Sequence, residues 1–253
     1  MLAELGKLVQ ALAFFSRLPF PPALWRQGEP WRLDQCARWF PIAGMLIALI
    51  PAAVLLAAGR VLPMSIAGGL ALAIGLLATG AMHEDGLSDT ADGLGGGGSR
   101  EKALEIMRDS AIGSYGAAAL VFSIGLRWAA LAVLLPLSGA AALLIAHSSA
   151  RAAIVAALAF SGYARNQGTG STVAVGVSPS EFGITAGIAV LLALLIGGFA
   201  GLLAAIAGFA GAAMLLWYFH HRIGGYTGDG LGAMEQIGEI TVLLVLASAW
   251  SHP

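Results

Sequence analysis

Asp85, Asp89 and Asp92 stand at i, i+4 and i+7 within His83-Glu84-Asp85-Gly86-Leu87-Ser88-Asp89-Thr90-Ala91-Asp92-Gly93, directly behind a long apolar run. On a helix those offsets fall within an arc of roughly 60°, so the carboxylates converge on one face. Like charges that close repel unless a cation lies among them. Hard oxygen donors suit Mg²⁺, which takes one or two carboxylates, keeps several waters and binds substrate phosphates through its remaining positions. A solvated helix end accounts for one or two acids at a membrane surface. It accounts less well for three on one face ahead of Gly93 and the run Gly95 to Gly98. The pattern points to a metal–phosphate site with Asp85, Asp89 and Asp92 as ligands.

A second polar constellation lies near the end of the chain, in Gly224-Gly225-Tyr226-Thr227-Gly228-Asp229-Gly230-Leu231-Gly232. Successive glycines let backbone N–H groups approach a phosphate, and Asp229 could add a metal ligand. A plain turn between two spans would look similar. Glu235 and Glu239 open the last apolar run, where acids suit a helix N-terminus through its dipole. His220 and His221, adjacent in sequence, point apart on a helix and read as interfacial.

Cations follow the aspartates. Ser99 is placed to cap a short helix over Arg100–Asp109, from which Lys102 and Arg108 can reach phosphate, although an ordinary surface helix would look the same. Glycines on both sides would let it move as a lid. Arg127 and Arg151 fall inside apolar runs, where a charge costs at least ~2.5 kcal/mol and needs a partner. Beside Ser148 and Ser149, Arg151 reads as an anion-binding residue, with an ion pair as the alternative. Arg127, deeper, reads as an intramembrane ion pair.

These residues need elements to position them, and composition says which. Charged residues make up 11% of the 253 and hydrophobic ones 58%, with a mean hydropathy of +0.83, whereas soluble domains carry roughly 25% charge. The chain therefore reads as all-α, a polytopic helical bundle in a membrane. A net charge of −1 excludes a strongly basic nucleic-acid surface, and the single cysteine, Cys36, excludes a disulfide framework or a thiolate metal site. Apolar runs near the ~20 residues a bilayer requires predict about seven spans, at 40–59, 63–81, 115–135, 139–160, 182–197, 199–219 and 236–250. The fifth and sixth are short and meet at Gly197-Gly198. Upstream, Leu5, Leu8, Val9, Leu12 and Phe15 recur at helical spacing, which predicts an amphipathic helix lying on the membrane and ended by Pro19, Pro21 and Pro22. The N-terminal run is too short for a cleaved signal, so insertion is expected to rest on the internal spans.

With seven spans, Lys7, Arg17, Arg26, Arg32, Arg38, Arg100, Lys102, Arg108, Arg165 and Arg222 share one face, and Arg60 alone lies on the other. Such asymmetry predicts that the polar loops face the cytoplasm and the C-terminus lies outside. Residues 1–249 read as one membrane domain, and 250–253, Trp250-Ser251-His252-Pro253, as the remnant of an affinity tag.

The motifs His83 to Gly93, Glu105-Ile106-Met107-Arg108-Asp109-Ser110 and Tyr226 to Ala233, with Arg17-Leu18-Pro19 and Phe40-Pro41-Ile42-Ala43-Gly44, resemble in order those of the cobalamin synthase family, the adenosylcobinamide-GDP ribazoletransferases of bacteria and archaea. Two positions depart from it: Glu84, where the family commonly has an apolar residue, and Gly230, where it often has Thr. The resemblance implies an enzyme of the bacterial or archaeal cytoplasmic membrane that joins GDP-activated cobinamide to α-ribazole or its 5′-phosphate and releases GMP. Its implied partners are those small molecules and membrane lipid, with no nucleic acid, and a homo-oligomer is left open. It also implies Mg²⁺ held by Asp85, Asp89 and Asp92, with Asp229 as a further ligand or as the base. Lys102, Arg108 and Arg151 would neutralise the diphosphate, with Asp109, Thr227 and Gly228 at the substrate, and His83 would orient a ligand or move a proton. On an unbroken helix, however, His83 faces away from the aspartates.

Two rivals use some of the same features. A CDP-alcohol phosphotransferase or a paired-aspartate prenyltransferase shares the metal logic, and a transporter also carries intramembrane charge and broken spans. The clustering of acids at one face, away from the midplane, favours a transferase.

Overall fold

The structure, a computed structural model, describes residues 2–20, 33–165 and 176–251; Pro21, Pro22, Arg26, Arg32, His252 and Pro253 lie outside them. Among the described residues all regular secondary structure is helical, as the composition predicts. Helix α1 (Leu2–Phe15) leads to α2 (Leu33–Cys36), which runs through a 3₁₀ turn at Ala37–Trp39 into α3 (Phe40–Ala58). There follow α4 (Met64–Thr79), α5 (Met82–Gly96), α6 (Arg100–Ile106), α7 (Ser114–Ala132), α8 (Pro136–Phe160), α9 (Pro179–Ile223) and α10 (Gly228–Trp250). Prolines sit in the first turns of α3, α8 and α9, where no helical N–H is lost.

Five helices are long and apolar enough to cross a membrane, and α4 with α5 passes the same test as a bent pair. At 45 residues α9 is too long for one straight crossing. Gly198, at φ 59° and ψ −144°, breaks it, and a Cβ on Gly201 would collide with the carbonyl of Ala193. Residues eight apart on a straight helix would be about 12 Å apart. The chain therefore reverses at Gly198, and α9 is a hairpin of two arms. With α9 counted as two, the described residues contain the seven apolar segments the sequence predicts.

Contacts sort the connections onto two faces. On one, Arg17 N–H donates to Ala78 O, Arg38 pairs with Glu181, and Arg100 donates to the carbonyls of Ile223 and Ala164. On the other, Gly59 lies against Pro136 and Gly197 against the Trp250 ring. Trp250, grouped by sequence with a trailing tag, is the last residue of α10. Helix α1 is amphipathic, as expected, but Val9, Ala11 and Phe15 are buried on the bundle.

Two features break the simple pattern. The run ending near 81 does not continue into the aspartates: α4 stops at Thr79, Gly80 and Ala81 both adopt left-handed backbone, and α5 leaves at 89°. Ala81 N–H donates to Leu76 O, closing the carbonyl end of α4. Gly44 of α3 rests on the His147 carbonyl of α8 so closely that any side chain there would clash. That contact gives Phe40-Pro41-Ile42-Ala43-Gly44 its physical meaning.

Candidate functional site

The sharp bend turns α5 away from the spans and lays it along the polar face. It crosses the start of α10 at two glycines: a Cβ on Gly86 would come 2.7 Å from Asp229 O and 3.2 Å from Gly232 Cα. Only residues without side chains allow backbones that near. The crossing brings Asp85 and Asp89 of α5 toward Asp229 of α10. Asp85 is exposed and Asp89 half-buried. Burial, then the carboxylates of Asp85 and Asp229, pushes Asp89 up to about 6, with Arg165 acting in the opposite direction.

Asp92 is employed differently. Its Oδ2 accepts the N–H of Gly113 at 2.7 Å and its Oδ1 the N–H of Gly116 at 2.9 Å, so it holds the first turn of α7. Among the described residues, the one group of three or more His, Cys, Asp or Glu whose ligand atoms lie within 4.8 Å of one another is His147, Glu235 and Glu239. The four aspartates do not converge that closely. Their donor chemistry fits Mg²⁺ held by one or two carboxylates and water, rather than a three-aspartate cage.

Arg165 is the cation that sequence reasoning left out of the site. Its Nη2 lies 2.6 Å from Asp229 Oδ2. A β-bridge between Tyr163 and Tyr226 places it there: Tyr226 N–H donates to Gly162 O and Ala164 N–H to Tyr226 O. Its position depends on a pairing between two loops distant in sequence. Thr227 is buried and caps α10 by accepting from Gly230 N–H at 3.0 Å, while Gly228 faces open space.

Asp85, Asp229 and His83 line a cavity of about 330 Å³ whose walls include Phe14, Phe15 and Phe40. His83 is 3% exposed, with Nδ1 3.7 Å from Glu235 and Nε2 lacking a hydrogen-bond partner. His83 is buried where Asp85 is exposed, and the cavity is lined by both. Phe15 and Phe40 meet edge to face at 4.7 Å, and Phe15 also backs onto the Arg151 guanidinium at 5.5 Å.

Arg151 corrects the sequence reading. It is fully buried, with Nη1 2.7 Å from Glu235 Oε1 and 3.0 Å from Glu239 Oε1, so its charge is spent inside the bundle and not on substrate. Arg127 is the ion-paired residue its depth predicts, bonded to Glu84 at 2.9 Å and Glu239 at 3.2 Å. Glu239 is thus a buried counter-ion and not the helix-opening acid its place in the sequence suggested, because α10 begins at Gly228 and Asp229 is the acid of its first turn. Glu84 finds its reason here: it also accepts from Gln236, whose own amide oxygen accepts a hydrogen bond from the Ser123 hydroxyl. The signal for the network was two arginines inside apolar runs and the Glu235/Glu239 pair at the opening of the last one.

The α6 segment exposes its charged face and buries Ala103, Leu104 and Met107 on the bundle. Ser99 caps α6 as expected, Lys102 pairs with Glu105 at 2.9 Å, and Asp109 accepts from Ala111 N–H. Arg108 is exposed at its end. His220 and His221 are exposed, with His221 against Trp217, as interfacial residues would be.

Comparison with known proteins adds to this geometry. The family model described as "Cobalamin-5-phosphate synthase" matches residues 7–247. A protein of Rhizobium etli (strain CIAT 652) named adenosylcobinamide-GDP ribazoletransferase is 43% identical, with 95% of each chain covered. Proteins of the same name from Rhizobium johnstonii and Shewanella sp. (strain W3-18-1) are 42% and 36% identical, covering 95% and 96% of this chain and 95% and 94% of theirs. No solved structure matches.

Proposed function

The chain belongs to the cobalamin-5-phosphate synthase family, and from that premise we propose that it is the membrane transferase that joins GDP-activated cobinamide to α-ribazole or its 5′-phosphate, releasing GMP. One observation carries the reading at the level of residues: the α5–α10 crossing gathers Asp85, Asp89 and Asp229, of which Asp85 and Asp229 line a ligand-sized cavity, with Arg165 on Asp229.

In this reaction a ribose hydroxyl oxygen forms a bond to the phosphorus next to cobinamide. The bond from that phosphorus to the oxygen bridging it to GMP breaks, and GMP leaves with the electron pair. Such a transfer depends on positioning and charge neutralisation more than on covalent catalysis. Asp229 is the base that takes the hydroxyl proton. Arg165, released in part from Asp229 when a phosphate arrives, offers its planar fork to diphosphate oxygens, the role the buried Arg151 cannot play. Asp85 and Asp89 would hold Mg²⁺; bound there, the ion would neutralise charge on the diphosphate. Asp92 anchors α7 and keeps α5 in register. Lys102 and Arg108 lie on the exposed face of the α6 segment, where they can meet the outer part of the donor.

Of the described cations, Lys7, Arg17, Arg38, Arg100, Lys102, Arg108, Arg165 and Arg222 share the face of the site, and Arg60 is opposite. This bias supports a site that opens to the cytoplasm from the cytoplasmic membrane. The test is formation of cobalamin or cobalamin 5′-phosphate, with GMP, from GDP-cobinamide and α-ribazole or its phosphate by the purified protein. Uptake of labelled substrate into vesicles without product would favour a carrier.

A further inference from the structure

The cavity beside Asp85 and Asp229 is lined largely by apolar side chains. Leu33, Phe15, Phe40, Ile154 and Leu231 form much of its wall and carry no side-chain hydrogen-bonding group. Asp85 and Asp229 also line it, and His83 is the polar side chain in the wall with an unpartnered buried nitrogen. At about 330 Å³ it is at the small end of ligand pockets, of a size for a nucleoside and not for a corrin macrocycle.

Two nucleosides take part in the proposed reaction, and this inference rests on that reading. Guanine carries donors and acceptors around its edge, which an apolar wall would leave unpaired at a cost in binding. The base of α-ribazole is a dimethylated benzimidazole. Once joined to ribose it has no N–H donor and one acceptor nitrogen. We propose that this cavity seats the bicyclic apolar base of the acceptor nucleoside, with His83 Nε2–H donating to its one ring nitrogen, and that the guanine of the donor binds elsewhere. The base then packs against Phe14, which is backed by the buried Phe15 and Phe40, and its ribose lies toward Asp85 and Asp229, where the attacking hydroxyl must lose its proton. His83 thereby becomes a specificity residue, which explains why it shares the cavity with Asp85 but not the aspartate face.

Gly228 gives a way to block the cavity, since it lines it and a Cβ there meets nothing within 4 Å. The full chain in phosphatidylcholine nanodiscs is melted with α-ribazole alone or with GMP alone, for wild type, Gly228→Leu and Phe14→Ala. Wild type should be stabilised by α-ribazole, and Gly228→Leu should lose that shift. The KM for α-ribazole should rise about tenfold or more in Gly228→Leu while that for GDP-cobinamide stays within about twofold. Phe14→Ala should move the same KM in the same direction, which keeps the comparison available if Gly228→Leu does not fold. A GMP shift lost in Gly228→Leu, a raised KM for GDP-cobinamide alone, or no α-ribazole shift in wild type overturns the proposal. So does a shift abolished by added acyl chains, which would make the cavity a lipid seat. The melting shift needs no turnover, so a wild type that binds α-ribazole but forms no product would refute the transferase reading and leave this one standing.

Discussion

Arg151 Nη1 lies 2.7 Å from Glu235 Oε1, and both side chains are sealed within the bundle, where Glu239, Arg127 and Glu84 extend the pairing. The network joins α5, α7, α8 and α10 inside the bundle, where its members are buried from solvent. It sits directly behind Phe15, whose other neighbours line the cavity. The bundle's charged core thus supports the floor of the site without entering it.

Removing one partner of a buried pair leaves the other charge uncompensated, at a typical cost of about 3–5 kcal/mol. Arg151→Gln should therefore lower the melting temperature in detergent by several degrees. The KM for GDP-cobinamide in the surviving enzyme should stay near the wild-type value. A stable Arg151→Gln protein with a raised KM would return Arg151 to the substrate.

Asp92 and Asp85 should separate by phenotype. Asp92→Ala leaves the Gly113 and Gly116 N–H groups without their acceptor, and loss of such a helix cap costs about 1–2 kcal/mol. Its melting temperature should fall. Asp85→Asn, at an exposed position, should melt as wild type and lose turnover by orders of magnitude, with partial recovery at high Mg²⁺. Equal melting of both variants would contradict the division.

Arg165→Ala should weaken use of GDP-cobinamide about tenfold or more in kcat/KM, and Arg165→Lys should restore only part of it, since an ammonium lacks the bidentate fork. Unchanged kinetics in Arg165→Ala would confine the residue to its Asp229 pair.

Topology is checked by labelling. In a Cys36→Ser background, Ser99→Cys and Ser251→Cys should react from opposite sides of the membrane. Labelling from one side would mean that the α9 hairpin, turning at Gly198, does not cross twice.

The fold was largely legible because a bilayer imposes its thickness on apolar runs: six of the seven runs read from sequence match a helix or an arm of one, and the seventh, 236–250, is the later part of α10, which begins at Gly228. The turn at Gly197-Gly198 showed itself by two glycines at the meeting of two short runs. The bend after α4 did not, because Ala81 adopts a left-handed backbone that its residue type disfavours. At the site, Asp85, Asp89 and Asp229 were readable from local spacing and glycine context. Arg165 was not, since its place follows from the Tyr163–Tyr226 bridge. Arg127 announced its pairing by depth alone. Arg151 carried the same signal, and only the packing of α8 on α10 shows that its partners are Glu235 and Glu239.

The central claim is that the Asp85–Asp89–Asp229 edge performs the transfer. Its most direct measurement is a single-turnover assay of Asp229→Asn beside wild type, with GDP-cobinamide, α-ribazole and Mg²⁺, following cobalamin and GMP by mass spectrometry and melting each preparation in parallel. The account predicts equal release of cobalamin and GMP by wild type and a loss of about a hundredfold or more in the variant at an unchanged melting temperature. A variant that melts as wild type and turns over at the wild-type rate would contradict it.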